Sequence, residues 1–233
     1  MNRFSHITDL SKTTNLNGIL TELSNHEQLL VGTNIERLIY FSRTYAIVNK
    51  NIYQARISGY FSNPDLIDKL QQYFADAYFE MLNDYARTGH MPKPWKLASK
   101  HKFIHIQPAS FSLFFAIRAH IQCDALEALR RLVPTPDTFA DDYFRIETII
   151  LKSSEEIVSS YNPNSQLNLL RELARKIVII PLGFVIFNWR LNAWNRFIIL
   201  GKSNQRTYIS YRCMSQNLCG LRNVVFRQVL EVR

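Results

Sequence analysis

Glycine, cysteine and acidic residues are all scarce in this sequence, and each scarcity excludes something. With 7 Gly and 8 Pro in 233 residues, there is too little turn chemistry for a loop-rich β architecture. The 3 Cys (Cys123, Cys213 and Cys219) are odd in number and carry no metal-binding spacing. They read as reduced thiols rather than a disulfide framework, which points to a reducing, cytoplasmic compartment. No apolar run is long enough to span a bilayer. The longest covers residues 177–187, and eleven residues suit a buried helix better. The first twenty residues hold no stretch of signal-peptide type, so a soluble protein is expected. The strong catalytic signatures are missing too: there is no glycine-rich phosphate loop, no G-x-S-x-G, no H-E-x-x-H and no Cys/His zinc spacing.

What is present describes a globular chain with an uneven charge. Hydrophobic residues make up 47 % and charged residues 20 %, so the chain can bury a core without staples. The net charge is +9. Residues 171–233 hold eleven basic and two acidic residues, which leaves 17 of each among residues 1–170. The whole excess therefore sits in the last quarter. Residues 1–30 are polar and rich in Asn, Ser and Thr, and are expected to be a loosely attached segment ahead of a single helical domain, 31–233.

Helical spacing dominates that domain. Leu38, Phe41, Tyr45, Val48 and Ile52 recur every three or four residues. Thr33 and Glu36 ahead of them form a capping-box pattern, and Gly59 suits the stop. Asn63-Pro64-Asp65 opens a second helix as cap and first turn, carrying Leu66, Leu70, Phe74, Tyr78 and Leu82 to Gly89. Residues 89–108, with Trp95, His90, His101 and His105, form a connector long enough to be a lid or part of a site. A third helix runs from Pro108 to about Val133, and a fourth from Asp137 or Thr138 to about Tyr161. A long stretch from Gln166 to Leu200 should kink at Pro181. Residues 206–232 lean towards helix. The expectation is an all-α, single-domain bundle of about six helices.

The third helix carries the most chemistry. On a wheel, Phe111, Phe114, Phe115, Leu126 and Leu129 share one side, and His120, Asp124, Glu127 and Arg131 the other. His120 and Asp124 are i,i+4, so their side chains can meet. Such a pair can form a general base with a fixed tautomer, or supply two metal ligands. Equally, a polar stripe at this spacing is what a solvated face looks like. Leu113 and Ile117 continue the face N-terminally, which puts His120 where apolar turns to polar, the position of a pocket rim. No cofactor is expected. A metal at His120 and Asp124 would need a third ligand, for which Glu127 or a connector histidine is the candidate. Cys123 beside His120 could act as a nucleophile, although a small buried thiol is the plainer reading. Further on, Arg190 and Trp194 could hold an anionic or aromatic group. The alternative is a Trp in the core with Arg reaching outward.

At these residues the sequence resembles domain-of-unknown-function family 5995. The family's A-H-I-x-x-D-L signature is matched by Ala119, His120, Ile121 and Asp124, with Ala125 in place of Leu. Tyr40, Phe41 and Tyr45 fit its aromatic helix, and Gly59, Phe61, Asn63 and Pro64 its turn. Phe74, Ala75, Tyr78 and Phe79 fit a later segment, and Arg190, Ala193, Trp194 and Leu200 a last one, where Phe197 replaces a small residue. Gln71 stands where the family often has Asp. The resemblance covers roughly residues 33–200. It implies a helical protein of this size and a functional His120–Asp124 pair, and it supplies no reaction.

Three functions follow as expectations. One is a small-molecule enzyme acting on an apolar or partly anionic metabolite, with His120 and Asp124 as general acid/base pair and Tyr45, Tyr78, Arg190 and Trp194 binding substrate. The reaction would be of cyclase, isomerase, lyase or hydrolase type. The second is a carrier of a lipid-like ligand. The third is a binder of anionic surfaces or nucleic acid through the basic C-terminal part, where Tyr208 and Tyr211 interleave with Arg206 and Arg212. Spaced arginines are more often a solvated surface, so a small molecule, not nucleic acid, is the expected partner. A homodimer is compatible with all three.

Overall fold

The structure is a computed structural model that describes residues 15–99, 109–132, 139–161 and 180–201. Every regular element among the described residues is helical. They are α1 (Leu16–Leu30), α2 (Leu38–Ile57), α3 (Pro64–Thr88), α4 (Lys93–Ser99), α5 (Ala109–Ala119), a π turn (His120–Asp124), α6 (Ala125–Leu132), α7 (Ala140–Tyr161) and α8 (Ile180–Gly201). None is long and apolar enough to cross a membrane.

The expected loose N-terminal segment is not found over residues 16–30. Helix α1 is held by its Asn15 side chain, which accepts from Gly18 N–H at 3.0 Å. Its Ile19, Leu23 and Leu30 are at most 1 % exposed, and it packs on α2 and α3. These apolar positions are four and seven apart, a buried stripe inside a polar composition. Residues 1–14 lie outside the described residues.

Helix α2 starts at Leu38 rather than near Thr33. Thr33 is instead in a run of turns, where its hydroxyl donates to the Leu30 carbonyl at 2.8 Å and its own carbonyl accepts from Glu36 N–H at 3.2 Å. Pro64 does open α3, but Asn63 gives it no side-chain cap. The cap comes from another helix: Asp142 of α7 accepts from Ser62 N–H at 3.0 Å and Asn63 N–H at 2.6 Å. A buried carboxylate at a helix N-terminus satisfies orphan donors and complements the helix dipole. Helix α3 stops as expected at Gly89, whose φ of 68° is left-handed and whose N–H returns to the Tyr85 carbonyl at 2.8 Å.

Part of the expected connector is helix α4. The Pro92 carbonyl accepts from Trp95 N–H at 3.0 Å and Lys96 N–H at 3.1 Å, which starts the turn and drives Trp95 inward to 1 % exposure. Pro181 lies within the described part of α8. The segment before it, and with it the expected kink, lies outside the described residues.

The apolar side chains form two clusters. The first joins α1, α2, α3, α4 and α5 around Phe41, Tyr45, Tyr78, Phe79 and Trp95. The second joins parts of α2 and α3 with α6, α7 and α8 around Leu126, Phe139, Tyr143, Trp194 and Phe197. The rod α5–π turn–α6 passes from one to the other.

Candidate functional site

A π turn begins at His120. Ala125 N–H donates to the His120 carbonyl, five residues back instead of four. The extra residue shifts the phase of the rod by about 100°, so one wheel does not describe both halves. Phe115, Ala116 and Ala119 before the turn belong to the first cluster, and Leu126 and Leu129 after it to the second. His120, expected on a polar face or a rim, is 3 % exposed. The stripe drawn on one wheel is therefore split: His120 continues the buried side of α5 with Ala116 and Ala119, while Glu127 and Arg131 follow α6.

Five aromatic rings surround the imidazole. Phe74 stacks on it at 3.8 Å between centroids with an interplanar angle of 14°. Tyr45 lies edge-on at 4.6 Å, Phe41 at 5.0 Å, Trp95 at 6.2 Å and Tyr78 at 6.3 Å. These rings come from α2, α3 and α4. Phe74 is the one half-buried member, so it lies between the imidazole and solvent.

Asp124 meets the ring at its other end. Its Oδ2 is 2.9 Å from His120 Nδ1. Burial pushes the His120 pKa below the ordinary histidine value, and the Asp124 hydrogen bond and charge pull against it. The ring is therefore neutral near pH 7, with Nδ1–H donating to Asp124 and a lone pair left on Nε2. That atom is buried and has no hydrogen-bond partner. The Tyr45 hydroxyl and Trp95 Nε1 are likewise buried without a partner of hydrogen-bonding geometry. The Asn49 side chain is the group the Tyr45 hydroxyl can reach as a hydrogen-bond partner, though not in good geometry, and burial keeps that phenol protonated. Buried polar atoms normally find partners. Three orphans around one ring are unusual, and π turns themselves recur at functional sites.

The other expected residues fall into two groups. Tyr78 joins the cage, but its hydroxyl pairs with Ser42 at 3.0 Å, so only its ring faces the site. Arg190 and Trp194 are not brought to His120. Trp194 stacks on Tyr143 at 4.9 Å in the second cluster. Arg190 lies over the Tyr143 ring at 4.2 Å, donates to the Tyr143 carbonyl and pairs with Glu147 at 3.3 Å. Glu127, the expected third metal ligand, pairs with Arg131 at 3.6 Å, and Arg131 also grips Glu80 of α3. Among the described residues no group of three or more His, Cys, Asp or Glu could hold a metal. His101, His105 and the basic residues Arg206, Arg212, Arg222 and Arg227 lie outside the described residues. Cys123 is half-buried beside Asp124.

Gln71 makes sense as an amide. Its Nε2 donates to the Asn49 carbonyl at 3.2 Å and side-chain oxygen at 3.1 Å, which a carboxylate could not do. Sequence reading passed over Phe41, Phe74 and Trp95 as site residues. The signal for Trp95 was a tryptophan just after Pro92 and Pro94 in a long connector.

A model of a family of unknown function, DUF5995, matches residues 16–218. The chain belongs to that family. The match begins at the first residue of α1, which agrees with that helix being part of the domain. It reaches further at both ends than the motifs read from the sequence. Comparison with curated proteins and with solved structures returns no match.

Proposed function

We propose that this protein is a small-molecule enzyme in which His120, oriented by Asp124, is the general base for an apolar substrate. One observation carries the reading: His120 has its Nδ1 fixed at 2.9 Å from a carboxylate, while its buried Nε2 has no partner. A carboxylate on Nδ1 sets the tautomer and stabilises the imidazolium that forms on proton transfer. A dry aromatic enclosure strengthens every polar interaction made inside it. Tyr45 supplies a protonated hydroxyl, and Tyr78 contributes shape alone. An anionic substrate loses its support, because Arg190 is held by Glu147. Phe74, half-buried and flat against the ring, is the side chain that must move to admit a ligand.

Purified protein incubated with a mixed metabolite extract and followed by mass spectrometry tests the proposal. Conversion by the native chain should fall about 10²–10⁴-fold in His120→Gln, with a smaller loss in Asp124→Asn. Conversion that survives His120→Gln sinks the catalytic role. Near-complete burial of His120 also suits a second reading, a carrier that holds an apolar ligand without proton transfer. Retention of an unchanged ligand, equal in native and His120→Gln protein, would favour it.

A further inference from the structure

We infer that the group handled in the cage is an uncharged carbonyl oxygen on an apolar frame, held by Tyr45 Oη–H and Trp95 Nε1–H while His120 Nε2 takes a proton from the adjacent carbon. The inference rests on His120 being the base and adds the chemical class of its substrate.

The unpartnered atoms define the complement. Tyr45 is 7 % exposed, Trp95 1 % and His120 3 %. With Nδ1–H committed to Asp124, Nε2 offers one lone pair. Indole nitrogen is a donor only. The Tyr45 phenol is kept protonated by burial and so is a donor too. Two donors and one base are what a ligand must satisfy. A carbonyl oxygen has two lone pairs for the donors, and its neighbouring C–H can meet the base.

Charged ligands fit worse. Two buried or half-buried cations are paired away from the cage, Arg190 with Glu147 and Arg131 with Glu80 and Glu127. A carboxylate or phosphate would be buried beside Asp124 with no counter-ion among the cage side chains, a large desolvation cost. An ammonium group could lie against the rings, but its N–H groups answer only Nε2 and leave both donors empty.

The step balances without a co-reactant. Nε2 removes the proton from the carbon next to the carbonyl. The C–H electron pair becomes the C=C bond of an enolate, and the carbonyl π pair moves to oxygen, between the two donors. Where the carbonyl compound is β,γ-unsaturated the enolate is a dienolate: return of the proton from His120 to the γ-carbon moves the C=C bond to the α,β position and restores the carbonyl, which gives an isomer. Preorganised donors at the developing oxyanion act where water is excluded.

Acetophenone, benzoate and phenyltrimethylammonium share a frame and differ in charge, and serve as probes in proton–nitrogen NMR. The Trp95 indole signal is assigned by its loss in Trp95→Phe, with Trp189 and Trp194 as internal references. Acetophenone is expected to shift the Trp95 signal and the other two are not. Tyr45→Phe, which keeps the ring, should weaken acetophenone about tenfold. In heavy water the methyl protons of acetophenone should exchange faster with native protein than with His120→Gln. Tighter binding of benzoate or of the ammonium overturns the inference, as does a Trp95 signal that no probe moves. The reading of His120 as base fails separately, if nitrogen NMR at pH 7 places a proton on Nε2.

Discussion

Arg190 and His120 are equally buried, each 3 % exposed, yet their surroundings differ. Arg190 sits in the second cluster with a carboxylate, a carbonyl and a ring face around it. Its own carbonyl accepts from the Tyr143 hydroxyl at 3.1 Å. His120 sits in the first cluster with one nitrogen held by Asp124 and the other unanswered. Both are polar groups in apolar cores, so both cost desolvation. In the second cluster Arg190 and Glu147 face each other as opposite charges between α8 and α7 at 3.3 Å, although Arg190 Nε and both Glu147 carboxylate oxygens lack a hydrogen bond of good geometry. In the first cluster His120 Nε2, the Tyr45 hydroxyl and Trp95 Nε1 are likewise buried without a hydrogen bond of good geometry. The difference is one of charge: Arg190 faces an opposite charge, whereas the open atoms of the first cluster belong to neutral groups.

The largest effect should come from breaking the Arg190–Glu147 pair. Arg190→Met or Glu147→Leu alone leaves an opposite charge buried and should cost about 3–5 kcal/mol. The double replacement should recover most of that. Urea unfolding measures all three, and single-variant costs near zero would break the contrast between the clusters.

Acid should act on the first cluster next. Burial pushes His26, wedged against Phe79 at 4.9 Å and Tyr78 at 5.9 Å, down from 6.5 to about 4. The unfolded chain binds this proton more readily than the folded one. Stability is therefore complete above pH 6.5 and is lost as pH falls towards 4. The loss attributable to His26 is about 3 kcal/mol. His120 contributes in the same direction, since its value is also lowered. Denaturant midpoints taken across this range should show a slope that His26→Leu reduces. An unchanged slope would mean that His26 is not desolvated.

The smallest effect sharpens the contrast inside one cage. Tyr78→Phe removes the hydrogen bond to Ser42 and should cost about 1 kcal/mol. Tyr45→Phe removes a hydroxyl without a well-formed partner and should be neutral or slightly stabilising. Equal costs from the two would show that Tyr45 has a structural partner, and would weaken the site reading.

Much of this was open to reading in the residue order. Apolar spacing of three and four marks α2, α3 and α7, and Gly89 marks a stop because only a residue without Cβ takes its left-handed φ cheaply. The i,i+4 spacing of His120 and Asp124 puts their side chains in reach whatever surrounds them. The attachment of α1 was hidden by its polar composition, since a three-residue apolar stripe is enough to bury one face. The cap on α3 could not be read locally, because Asp142 is 79 residues from Asn63. The same holds for Arg190, whose partner Glu147 lies on another helix.

What sequence alone determined is the class of fold and the pairing of His120 with Asp124, both set by spacing within one helix. What only the tertiary structure decided is which way that pair faces and what it meets. A single π turn, one hydrogen bond from residue 125 back to residue 120, takes Glu127 and Arg131 out of phase with the histidine. Rings from three other helices then close around it. Those contacts depend on how separate helices stack, and local periodicity carries no record of that.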